Sequence, residues 1–167
     1  MRTKLLWAMA LVILGVVNYA VWDKEQVVSK GRTVLLELAP RDPRSLMQGD
    51  FMMLNYGLAG ALRSRLTDRS VDGLAVVTLN EQGVAQLDRL YQAGSALQTN
   101  QALIRFRKRG EVVRIGAESF FFQEGQAAIY SPAKYGELKV AADGEVVLVG
   151  LRDAQRLPLR PAESKNQ

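Results

Sequence analysis

The chain has 167 residues, a net charge of +5, 48% hydrophobic and 23% charged residues, and neither Cys nor His. The length and composition are those of one domain able to bury its own core, and neither disorder nor a polytopic membrane protein is suggested. The double absence excludes thiol catalysis, disulfides, the Ser-His-Asp arrangement, haem ligation by His and nearly all structural zinc sites, and the small, dispersed charge excess makes nucleic acid an unexpected partner. No cofactor and no metal is expected.

In chain order, the first feature is an uncharged run from Leu5 to Trp22, LLWAMALVILGVVNYAVW, with Asn18 its plainly polar member. Arg2 and Lys4 precede it, and Asp23, Lys24 and Glu25 follow. Its length is just sufficient for a bilayer core, the charge order places the N-terminus in the cytoplasm, and Trp7, Tyr19 and Trp22 suit the two interfaces. The reading is an N-terminal transmembrane anchor over 1–24, with the remainder outside the cytoplasmic membrane, in the periplasm or beyond. A cleaved signal peptide competes, but a cut after Ala20 puts Asn18 where a small residue belongs.

Residues 25–155 form the expected soluble domain. Val34 to Leu38 reads as a strand, Pro40 to Asp50 as a turn-rich loop, and Phe51 to Tyr56 as a second apolar strand. Ala61 to Leu66 suits a short helix, with Leu62 and Leu66 four apart on one face. Leu74 to Leu79 is a β run, Asn80 to Gly83 a turn, and Val84 to Tyr91 its return. Ala102 to Arg107 and Val112 to Ile115 flank a second hairpin, whose basic cluster of Arg105, Arg107, Lys108 and Arg109 reads either as a solvated hairpin end or as a contact for anionic headgroups. Ser119 to Phe122 is a further short strand, and Gly125 to Tyr135 has room for a short helix despite Pro132. Leu138 to Val140 and Val146 to Leu151 pair across Ala142-Asp143-Gly144-Glu145, where Asp-Gly signals a hairpin. The fold class is therefore mainly β: one antiparallel sandwich or partial barrel with one or two short helices, ending in a flexible tail over 156–167.

The octapeptide Gly49-Asp50-Phe51-Met52-Met53-Leu54-Asn55-Tyr56 resembles the signature of the bacterial GDYXXLXY family, with Phe51 in place of the first Tyr. Pro40-Arg41-Asp42-Pro43-Arg44, Glu124-Gly125 and Tyr135-Gly136-Glu137-Leu138 are similar to other parts of that family. The resemblance implies an anchored, exported protein encoded near multi-pass membrane proteins, and brings no established biochemical activity. Asp42, Pro43, Arg44, Gly49, Asp50, Phe51, Leu54 and Tyr56 are thus the motif and candidate binding residues.

Alternation along the motif puts Met52, Leu54 and Tyr56 on one strand face and Phe51, Met53 and Asn55 on the other, so a central strand covered on both faces is expected. Asp50 follows the Gly49 turn and suits backbone N–H groups of its own loop, or Arg41 or Arg44, or a ligand.

The loop ahead of the motif also resembles the region after the nucleophile of type I signal peptidases, which use a Ser-Lys dyad. Here Pro40 stands where the Ser would be, Ser45 lies on the wrong side of Pro43, and Lys134 and Lys139 sit in dissimilar segments, so no catalytic constellation is expected. Two functions remain in view. One is a non-enzymatic interaction module docking on an integral-membrane partner. The other is a small-ligand or peptide-binding domain, or an inactive peptidase-like relative, with the 41–56 loop as its mouth.

Overall fold

The structure is a computed structural model that describes residues 2–39, 51–116 and 118–161. Helix α1 (Arg2–Lys30) leads into β1 (Arg32–Glu37), followed by β2 (Phe51–Met53), α2 (Gly57–Arg65), β3 (Ser70–Leu79) and β4 (Ala85–Leu90). Then come β5 (Gln101–Arg109), β6 (Val112–Arg114), β7 (Ser119–Phe121), α3 (Ala127–Tyr130), β8 (Tyr135–Val140), β9 (Val146–Arg152) and β10 (Pro158–Leu159). One antiparallel sheet has the order β1-β8-β9-β10, a second β4-β3-β5-β6, and β2 pairs with β7 in a two-stranded ribbon.

Two joins curl these sheets around one core. The edges of the larger sheets meet where Leu35 bridges Val84 and the Leu35 N–H donates to the Gly83 carbonyl at 2.9 Å. On the other side, the Arg105 N–H donates to Gly144 O at 2.7 Å, tying β5 to the β8–β9 turn. Val34, Leu36, Val77, Ile104, Leu138 and Leu151, all fully buried, fill the space between. This is the mainly β, antiparallel, partly closed architecture that the strand spacing implies.

The hairpins form where the turn residues allow them. Asn80 Oδ1 accepts from the Gln82 and Val84 N–H groups, each at 3.0 Å, and Gly83 takes the left-handed conformation (φ +76°) that lets β3 return as β4. In β5 the inward set Ala102, Ile104, Phe106 is buried, and the same alternation carries Lys108 inside, only 4% exposed. Its Nζ donates to the Leu66 carbonyl at 2.5 Å, at the C-cap of α2. Lys108 is therefore no part of a solvated basic end; Arg105, Arg107 and Arg109 are exposed, paired with Asp143 or Asp72.

The N-terminal segment departs from expectation. Among the described residues no helix is long and apolar enough to cross a membrane, which overturns the expected transmembrane anchor over Leu5–Trp22. Asn18 interrupts the run and charged residues resume at Asp23, so no uninterrupted apolar stretch reaches the roughly 20 residues that a span requires. Nor does α1 end at Trp22. It continues through Asp23, Lys24 and Glu25 to Lys30, and its last turns lie on the domain. Val27 is buried there, Lys24 forms an ion pair with Glu145 of the β8–β9 turn, and that partner raises the Lys24 pKa.

The motif strand also differs from the expected doubly covered central strand. Met52, Leu54 and Tyr56 are buried as the alternation requires, but Met53 and Asn55 are exposed and Phe51 is half-buried. The strand is three residues long, and its opposite face carries an amide that a second apolar layer would leave unsolvated. Helix α2 starts at Gly57, four residues before the expected Ala61, because Gly57 and Gly60 hide its first turn from a propensity reading. Within the stretch expected to be tail, Pro158–Leu159 pair with Arg152 and Leu151 as β10.

Glu137 and Arg152 clamp that last sheet. The guanidinium donates through Nε to Oε2 at 2.9 Å and through Nη2 to Oε1 at 2.8 Å, while Nη1 donates to the Arg156 carbonyl at 2.8 Å. Hydrogen bonding from Arg152 holds the Glu137 carboxyl below the usual Glu range. Its stabilisation is present above the unfolded-state pKa and is lost as pH falls through the lower folded-state value. Glu137→Gln is expected to cost about 1–2 kcal/mol in urea unfolding at pH 7. At about pH 3 the difference from the natural chain should shrink towards zero; an equal loss at both pH values contradicts the assignment.

Candidate functional site: the motif and its groove

Asp42, Pro43, Arg44, Gly49 and Asp50 lie outside the described residues, as do Pro40, Arg41 and Ser45. Phe51, Leu54 and Tyr56 are described, and the site is built from them.

The strand β2 reaches Tyr56 through two local pairings. The Leu54 N–H donates to Glu118 O and the Ala39 N–H to Asn55 O, both at 2.7 Å. Leu38 and Tyr56 form an isolated antiparallel bridge, and the Tyr56 carbonyl accepts the Ala59 N–H at 3.0 Å in the first turn of α2. Tyr56 thus ends the strand, touches β1 and opens the helix. Its side chain is buried, and burial first, then the charge of Glu118, pushes the phenol pKa well above its ordinary value. The hydroxyl is held neutral, unsuited to act as a base near pH 7.

The ring lies on Gly136 of β8. A Cβ added at Gly136 would stand 3.0 Å from Tyr56 Cε1 and 3.5 Å from Leu148 Cδ1. The structure therefore brings together two segments that carry the family resemblance, Tyr56 of the octapeptide and Gly136 of Tyr135-Gly136-Glu137-Leu138. Glycine is needed here for the space above Cα.

Phe120 of β7 and Phe122 just after it turn inward to Tyr130 of α3, with ring centroids 4.9 and 5.4 Å away. Phe121 faces outward, 73% exposed, against Phe51 at 5.8 Å. Phe51, Met53 and Phe121 form an apolar outer face on the ribbon. Glu124-Gly125 lies in the turn before α3, where Gly125 has a φ of +82°.

Beside the motif is a cleft of about 580 Å³, between α2 and β6. Leu54, Tyr56, Val113 and Ile115 form its buried apolar floor, and Gly57, Gly60 and Arg63 of α2 face Glu111 and Arg114 across it. Arg114 pairs with Glu118 at 3.3 Å. Of the expected mouth of Asp50, Tyr56 and Arg44, only Tyr56 is described, and it belongs to the floor. Sequence reasoning missed this cleft because its α2 wall is the part of the helix that glycine disguises. Among the described residues no group of three or more acidic side chains is placed to hold a metal ion.

The residues expected to be inert as a dyad are apart in character. Lys134 is exposed, and Lys139 donates from Nζ to Thr33 Oγ1 at 2.9 Å on the β1–β8 surface.

The class is thus a small antiparallel β protein with an N-terminal helix, organised on a Tyr-over-Gly contact between its motif and β8. The chain belongs to the GDYXXLXY protein family, whose family model matches residues 13–151. No curated protein and no solved structure matches it.

Tyr56→Ala is expected to cost about 3–5 kcal/mol in denaturant unfolding, and Gly136→Ala about 1–3 kcal/mol by overpacking. Removing the ring removes the clash, so the Tyr56→Ala/Gly136→Ala double variant should be more stable than the two single losses added together predict. Strict additivity would show that ring and glycine are not in contact.

Proposed function

We propose that this protein is a non-enzymatic interaction module that docks on an integral-membrane partner through α1, with its β domain at the outer, periplasmic face of the cytoplasmic membrane. One observation carries the reading: between Met9 and Trp22 α1 has a single plainly polar side chain, Asn18, and Trp7, Leu11, Ile13, Val17 and Trp22 of the same helix are all more than half exposed. A helix of that character is stable only with its circumference covered, and the domain covers only the last turns, around Val27. The apolar helices of a membrane protein offer a surface of matching chemistry. Lys24 and Glu145 fix the angle at which the helix leaves the domain, so a docked α1 would also orient the β domain.

The absence of Cys and His, the neutral, buried Tyr56 and the exposed Lys134 support a role without catalysis. Affinity purification of the full chain in mild detergent is expected to enrich a membrane protein. Leu11→Lys/Val17→Lys should abolish that enrichment with the melting of the β domain unchanged. Ser45→Ala, Lys134→Ala and Lys139→Ala should each retain it. Recovery of no membrane protein, or equal recovery by the double lysine variant, overturns docking through α1. Loss of in vivo function in Ser45→Ala together with one of the lysine variants, at native melting temperatures, overturns the non-enzymatic reading.

A further inference from the structure

The β6 edge has a defined polarity of hydrogen bonding. The Gly110 N–H donates to Arg69 O at 2.7 Å and the Leu79 N–H to Asn100 O at 2.8 Å, which assigns the even-numbered backbone groups of β5 to β3. The odd-numbered groups face β6, as the Arg105 bond to Gly144 O confirms. With Arg107 opposite Arg114 and Arg109 opposite Val112, those pairs exchange the ladder bonds, and the N–H and C=O of Val113 point away from β5. Among the described residues those two groups have no partner. Val113 is nevertheless only 9% exposed, and it lines the cleft against α2. Backbone groups so enclosed are almost always paired.

The opposite wall is shaped for a close neighbour. Gly60 stands inside α2, where glycine is less favourable than alanine, and a Cβ added there would meet nothing within 4 Å. Packing within the described chain does not require that glycine; it keeps the wall low. Arg63, one turn on, has no ion pair or hydrogen bond among the described residues.

We infer that the cleft between α2 and β6 takes an extended peptide segment of a partner protein, added as a strand to the open edge of β6 at Val113, with an acidic side chain of that segment meeting Arg63. Main-chain bonds supply register and the apolar floor supplies contact area, the division of labour of strand addition at a sheet edge. The cleft's volume is within the range of sites that enclose small ligands and short peptide segments. It uses no residue of α1, so it is independent of the docking surface proposed above.

The test uses the full chain in mild detergent and three synthetic heptapeptides: Thr-Val-Thr-Asp-Thr-Val-Thr, its central Lys counterpart, and the Asp peptide N-methylated at alternate backbone positions. The Asp peptide is expected to slow hydrogen exchange at the Val113 amide and to bind at least about tenfold more tightly than either of the others. Arg63→Glu should reverse the preference to the Lys peptide. Gly60→Leu should melt no lower than the natural chain and lose binding at least about tenfold. Protection of Val113 by none of the peptides overturns the site. Equal binding of the N-methylated peptide overturns strand addition, and undiminished binding by Gly60→Leu overturns the location.

Discussion

The seating of the Tyr56 ring on Gly136 is the contact on which the other parts of the domain depend. The motif strand β2 pairs with β7 alone, and a two-stranded ribbon has little stability of its own. What holds it to the main sheet is the ring on β8, the bridge from Leu38 and the bond from Ala39 to Asn55. Because Tyr56 also precedes the first turn of α2, its position sets where that helix lies and hence where the wall of the cleft stands. A side chain larger than hydrogen at 136 would displace the ring, and with it ribbon and helix together.

Among the described residues two surfaces of the protein differ in chemistry, helix α1 and the β6 edge. Helix α1 presents apolar side chains with no backbone groups to offer, since a helix satisfies its own. Such a surface matches another apolar surface of some extent. The β6 edge presents the reverse: one enclosed residue whose N–H and C=O groups have no partner among the described residues, a narrow cleft and a cationic side chain. That arrangement is the one we propose takes a main chain in extended form. The clamp of Glu137 and Arg152 and the ion pair of Lys24 and Glu145 tie β8 and β9 to β10 on one side and to α1 on the other. Helix α1 thus leans on the β1-β8-β9-β10 sheet, whereas the β6 edge belongs to the β4-β3-β5-β6 sheet.

The polar side chains of Lys108 and Tyr56 are both buried. Lys108 is held by the carbonyl at the end of α2 and completes the inward row of β5 after Phe106. The Tyr56 phenol is kept neutral by its surroundings.

The sequence by itself determined the mainly β class, the hairpins at Asn80–Gly83, Gly110–Glu111 and Asp143–Gly144, and the shared face of Met52, Leu54 and Tyr56, because turn chemistry and period-two alternation are local. It also contained, unused, the signal for the burial of Lys108, which follows Ala102, Ile104 and Phe106 at even spacing. It determined the family, since the octapeptide and the Tyr135–Leu138 segment are strings of residues. Only the tertiary structure decided that these segments meet, because the space above Gly136 is filled by a ring from 80 positions away (136 less 56). Tertiary structure likewise decided that the motif strand is covered on one face, that α1 runs past Trp22 onto the β8–β9 turn, and that the Val113 edge has no partner strand among the described residues. Each of these depends on which surfaces approach one another in space, and neither propensity nor periodicity carries that information.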